Sequence, residues 1–158
     1  MRLWDYELIK NNLLPNSQAV AQWRELNSIF RKQDNHILIN YIYNYNKETL
    51  KNYTRLVMLD LWDRDYNIRD YKNADNYFEE KVFAETRNKE NYCKNLFKEH
   101  NKDYLLTCFM NLREKYKCGQ KDFTDEKYKK LRDYIYKRYN GKDGKITINL
   151  YSENFQED

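Results

Sequence analysis

Proline and glycine are almost missing: the 158-residue chain has one proline, Pro15, and three glycines. That scarcity excludes collagen-like repeats, linker-rich architectures and Gly-rich loops. Cysteine and histidine are also few. Cys93, Cys108 and Cys118 cannot all pair within one chain, no CxxC occurs, and His36 and His100 lie far apart in sequence. Neither a structural zinc site nor a disulfide framework is expected; the cysteines read as packing residues, and a reducing intracellular compartment fits. Long apolar runs are missing too. None approaches the roughly 18–20 residues of a membrane span, and no apolar segment follows a basic start as in a secretory signal.

What is present is charge and aromatic surface. The chain carries 29 basic and 25 acidic residues, a net +4, which permits a nucleic-acid partner without demanding one. Aromatics make up 16% of the residues, tyrosine alone accounting for 16 of them; that argues against disorder. Asn, Lys, Tyr and Ile all come from AT-rich codons, so composition by itself weighs little on function. The length suits one domain with a real core. We place that domain at residues 1–145, with 146–158 as a tail.

Helical signals run through most of the chain. After Pro15, Asn16 or Ser17 is expected to cap a helix to about Lys32, with Ala19, Trp23, Leu26 and Phe30 as its apolar stripe. Asn35 to Tyr45 is a short mixed segment. Asn46 is expected to cap a second helix to Arg64, with Leu50, Tyr53, Val57 and Leu61 as its stripe. Asp65 to Glu99 is polar and Asn-rich and is expected to wrap the surface, partly as helix. A further helix from Asn101 to Lys117 stops at Gly119, and a last one opens at Thr124 with Asp125 and Glu126 in its first turn and ends near Tyr139. Lys145 to Tyr151 alternates like one strand without an obvious partner. The expected fold is mainly α, a compact single-domain helical fold.

Two features carry chemistry. Gln18, Gln22 and Glu25 stand at i, i+4 and i+7 and share one helix face; by itself such a face reads as solvated. The chain also begins Met1-Arg2-Leu3-Trp4, an Arg and two large apolar residues at the very start, which suits a terminus tied into a core. An α-amine ordinarily titrates at about 7.7–8.0, against about 10.4 for lysine, so it supplies neutral, nucleophilic nitrogen near pH 7.

Met1-Arg2-Leu3-Trp4, Leu8-Ile9, Leu14-Pro15, Gln18 and Gln22-Trp23-Arg24-Glu25-Leu26, in that order and spacing, resemble the pyrimidine-dimer DNA glycosylase/AP lyases of the phage endonuclease V type. The likeness continues in Asn35-His36, Asn40-Tyr41 and Arg64-Asp65-Tyr66-Asn67-Ile68. A weaker echo follows in Glu99-His100-Asn101, Tyr104-Leu105, Cys108 and Asn111-Leu112-Arg113-Glu114-Lys115. The resemblance implies a helical fold whose N-terminus threads between helices. It implies double-stranded DNA with a damaged base or abasic site as the partner, and base flipping. The N-terminal amine attacks C1′, a Schiff base forms and β-elimination cuts the strand, with no metal or organic cofactor. On this reading Met1 and Glu25 are catalytic; Arg2, Arg24, Gln18, Gln22, Arg31, His36 and Lys115 contact DNA. A monomer with no membrane association is expected.

The sequence departs from the phage pattern at several points. Initiator methionines before a bulky residue such as Arg2 are generally kept, so Met1 itself carries the amine. The family's helix histidine falls on Gln18, one helix arginine on Ser28 (with Arg31 one turn on as a substitute), and a third-helix arginine on Asn111. His36 lacks an acidic partner in sequence and reads as structural or as a backbone contact. Two alternatives stay open: a DNA-binding module on the same fold that lost the reaction, and a protein-interaction domain.

Overall fold

A computed structural model describes residues 1–69, 71–83, 85–94 and 96–139. Among them it shows helices α1 (Tyr6–Lys10), α2 (Asn16–Arg31), α3 (Lys47–Asp63), α4 (Lys72–Phe78), α5 (Lys102–Lys117) and α6 (Asp125–Tyr139), with 3₁₀ turns at Asn40–Asn44 and Lys89–Tyr92, and no strand. The alternating segment 145–151 and the tail lie outside the described residues.

Helix α3 is the axis of the molecule. Asn46 caps it by accepting from the Thr49 N–H at 3.1 Å. Its stripe of Leu50, Tyr53, Val57 and Leu61 is buried, and so are Leu56, Met58 and Leu59 on other faces. A helix apolar on several sides belongs in the interior, and α1, α2 and the second 3₁₀ turn all pack on it. Three of its charged residues, Lys51, Arg55 and Asp60, are buried as well, and each has a partner. Asp60 accepts two hydrogen bonds from the Arg64 guanidinium, at 3.0 and 3.1 Å. Lys51 pairs with Glu48 and Glu80, and Arg55 donates to the Val82 carbonyl while lying over the Tyr92 ring. Pairing is what makes burial of such groups tolerable.

Helix α2 is capped differently from expectation. Pro15 occupies the N-cap position and offers no side-chain bond. The free donors are met instead from the loop between α5 and α6: Asp122 accepts from the Ser17 N–H at 2.6 Å and from the Ser17 hydroxyl at 3.0 Å. Asn16 turns its carbonyl oxygen to Arg64, which donates at 2.7 Å and ties the start of α2 to the end of α3. A negative side chain at a helix N-terminus meets both its N–H groups and its dipole.

Helix α5 ends as its sequence predicts. The Gly119 and Gln120 N–H groups donate to the Tyr116 and Lys115 carbonyls, and Gly119 sits at φ +75°, the left-handed geometry that ends helices most cheaply with glycine. Helix α1 is an element that periodicity does not reveal, being only five residues long. Between α3 and α5 the polar stretch is partly helical, as expected, in α4 and the second 3₁₀ turn. Trp4 is buried, and Trp23 and Trp62 pack half-buried on the core. Cys108 is buried and Cys93 half-buried, but Cys118 is exposed and so is no packing residue; all three are free thiols.

Candidate active site

Residues 1–5 run extended into the space between α2, α3 and α5, and side chains of those helices satisfy their backbone. The Arg2 N–H donates to Glu25 Oε2 at 3.3 Å, and the Trp4 N–H donates to Gln22 Oε1 at 2.7 Å. The Tyr53 hydroxyl donates to the Trp4 carbonyl at 2.7 Å, and the Tyr104 hydroxyl to the Leu3 carbonyl. Leu3 and Trp4 are buried beneath. Asp5, also buried, caps α1 by accepting from the Glu7 N–H at 2.8 Å. The chain start is therefore clamped from three sides and cannot fray.

That clamp fixes the N-terminus at a cleft of about 240 Å³ lined by Met1, Arg2, Trp4, Gln18, Glu25, Leu38, Asn111 and Lys115. Gln18 and Glu25 come from α2, Asn111 and Lys115 from one face of α5, i and i+4 apart. Met1, Arg2 and Lys115 bring positive charge to the cleft, and Glu25 is its one carboxylate.

Glu25 is half-buried, and removal from water raises its pKa above the usual carboxylate value. The Arg2 N–H, the charge of the Met1 amine, His36 and the Gln22 amide oppose that rise. Gln22 Nε2 donates to the same Oε2 at 3.3 Å. The arrangement sets one carboxylate and one α-amine at a single mouth, with donors that hold the carboxylate in place.

The cleft gathers Met1, Arg2, Gln18, Glu25 and Lys115 from the residues expected to act. Four others sit elsewhere. Gln22 is buried and spent on Trp4, Tyr53 and Glu25, so the expectation that it touches DNA is corrected: it holds the chain start. The shared Gln18, Gln22 and Glu25 face is accordingly no solvated face. Arg24 is exposed outside the lining, and Arg31 folds its Nε back to the Asn27 carbonyl at 3.3 Å. His36 is exposed, with Nδ1 accepting from the Leu38 N–H at 3.3 Å.

Sequence reasoning missed Tyr53 and Tyr104, which grip the chain start. Both belong to an aromatic cluster with His100, whose ring stacks on Tyr104 at 5.0 Å and whose Nε2 lies 2.8 Å from the Tyr41 hydroxyl. Burial lowers the His100 pKa to about 3, so the ring is neutral. Asn111 lines the cleft but donates back to the Thr107 carbonyl at 2.7 Å.

Among the described residues no helix is long and apolar enough to cross a membrane. Neither a search of curated proteins nor one of solved structures found a match. Residues 1–73, which contain the clamped chain start and helices α1, α2 with Glu25, and α3, match the family model of the pyrimidine dimer DNA glycosylases, and the amino-terminal part of this chain is similar to that family.

Proposed function

We propose that the protein is a DNA glycosylase with AP-lyase activity that uses the Met1 α-amine as its nucleophile. One observation carries this reading: the segment bearing the amine is fixed through its next peptide N–H to the Glu25 carboxylate, at the mouth of a basic cleft. The neutral amine attacks C1′ of a flipped nucleotide and the glycosidic bond breaks, its electron pair leaving with the base. The base takes the proton that the new C1′–N ammonium sheds, and the C1′–O4′ bond then breaks as the iminium forms, O4′ taking a proton from water. Glu25 stabilises the developing cation as a carboxylate, takes the proton from C2′, and the C3′–O bond breaks to cut the strand. Water then hydrolyses the imine and frees the amine. Arg2 and Lys115 hold phosphates at the mouth. Arg24, Arg31 and His36, exposed around it, meet the flanking backbone. The amine and the carboxylate suffice for this chemistry, without metal or organic cofactor. The substrate is duplex DNA with a damaged pyrimidine or an abasic site, bound by one monomer.

Borohydride reduction tests it. An abasic-site oligonucleotide incubated with the native chain should be trapped covalently, with the adduct on Met1 by peptide mass. Binding of that DNA without any trapping would leave the DNA-binding module without catalysis as the correct reading. No affinity for DNA at moderate salt would leave the protein-interaction domain.

A further inference from the structure

The loop that joins α2 to the first 3₁₀ turn holds an apolar side chain out in solvent beside the cleft. Ile37 is 83% exposed and Leu38 45%, while the next residue, Ile39, is fully buried. Leu38 lines the cleft with Met1 and Glu25. The tip is well anchored. The His36 carbonyl accepts from the Ile39 and Asn40 N–H groups at 2.9 and 3.1 Å, Asp34 accepts from the His36 N–H at 3.0 Å, and the Tyr43 hydroxyl donates to the Asp34 carbonyl at 2.7 Å. A held turn that keeps its largest apolar group in water is built to place it against something. The cleft that Leu38 lines also carries Arg2 and Lys115, so the apolar tip adjoins positive charge.

We propose that Ile37, backed by Leu38, is a wedge that enters the base stack of duplex DNA as the target nucleotide leaves it. This rests on the reading of the cleft as a DNA-repair site. A flipped nucleotide leaves a gap between its neighbours, and an aliphatic side chain entering there replaces part of the lost stacking and holds the duplex bent. The wedge must lie next to the group that receives the nucleotide, as Leu38 does, and phosphates beside the step must meet positive charge, as Arg2 and Lys115 offer at the cleft.

The test compares the native chain with Ile37→Ala and the conservative Ile37→Met, on single-stranded and duplex oligonucleotides with an abasic site. The duplex carries 2-aminopurine beside the site to report unstacking. Single-stranded DNA needs no wedge, so borohydride trapping there should be the same for all three within about twofold, while Ile37→Ala slows trapping on duplex about tenfold and removes the 2-aminopurine rise. Ile37→Met should restore both. Equal behaviour of Ile37→Ala and the native chain on duplex, by trapping and by fluorescence, overturns the wedge. Loss of trapping on both DNAs by the native chain overturns the amine chemistry instead, and the fluorescence comparison then still decides the wedge. Absence of duplex binding overturns both.

Discussion

The backbone N–H of Arg2 and the Oε2 of Glu25 meet at 3.3 Å across 23 residues of chain. A side chain on α2 thus sets the position of a peptide unit whose other end is the Met1 residue and its amine. If Glu25 moves the proton in elimination, Glu25→Gln keeps the length and the contact with Arg2 but removes the base. Single-turnover cleavage of abasic DNA should fall about 10²-fold or more, while affinity by fluorescence anisotropy changes little. Equal losses of affinity and cleavage would show that Glu25 serves binding.

Burial raises the pKa of Glu25 above that of an ordinary glutamate. The base form is the carboxylate, so elimination weakens as pH falls through that pKa. The acid limb of the elimination rate should therefore lie above the limb expected for a solvated glutamate, near pH 4.3. A limb at or below that value would mean that the group taking the proton is a solvated one.

Tyr53 is wholly buried and its hydroxyl serves two acceptors, the Trp4 carbonyl at 2.7 Å and Gln22 Oε1 at 3.1 Å. Tyr53→Phe takes the hydroxyl donor from the Trp4 carbonyl, while Gln22 Oε1 keeps the Trp4 N–H, and the loss costs about 1–3 kcal/mol in stability by denaturant unfolding. It also frees the chain start, so borohydride trapping should slow at a temperature where the variant remains folded. Unchanged trapping would confine Tyr53 to the core.

Lys115 reaches the cleft from α5. A single phosphate contact contributes about 0.9 to the slope of log affinity against log salt. Lys115→Ala should lower the slope by about that amount and weaken lesion-bearing and lesion-free duplex alike. An unchanged slope would place Lys115 outside the phosphate path.

How much of this could be read beforehand depends on how local each feature is. Helices α2, α3, α5 and α6 announce themselves because each is long and has a repeating apolar stripe, and α3 and α5 also start or stop at a residue of the right kind, as at Asn46 and Gly119. Helix α1 is too short for a period to show. The Asp122 cap of α2 cannot be seen along the chain, since 105 residues separate it from Ser17. Glu25 stood on a face that periodicity reads as solvated; only the resemblance singled it out. Tyr53 and Tyr104 act on residues 49 and 101 positions away, and nothing local distinguishes them from other core tyrosines. The run Ile37-Leu38-Ile39 lies in the segment read only as mixed, and of the three only Ile39 is buried.

Asp5 couples the same clamp to pH. It is 1% exposed, and burial raises its pKa from 3.8 to about 7, against the opposing pull of the Glu7 N–H that it caps. Between those two values the folded chain keeps a proton on Asp5 that the unfolded chain releases. Stability attributable to this group is therefore full below pH 3.8, falls as pH rises towards 7, and is level above. The whole loss is bounded at about 4 kcal/mol by linkage. Asp5→Asn retains an oxygen to accept from the Glu7 N–H, asparagine being as good a cap as aspartate, and has no charge to bury. The variant should match the native chain in urea unfolding near pH 4 and exceed it by about 1–4 kcal/mol at pH 8. Since other titrating groups are common to both proteins, their difference isolates Asp5. A difference that does not change with pH would mean that Asp5 is already ionised in the fold and that its neighbours, Arg138 among them, hold the charge.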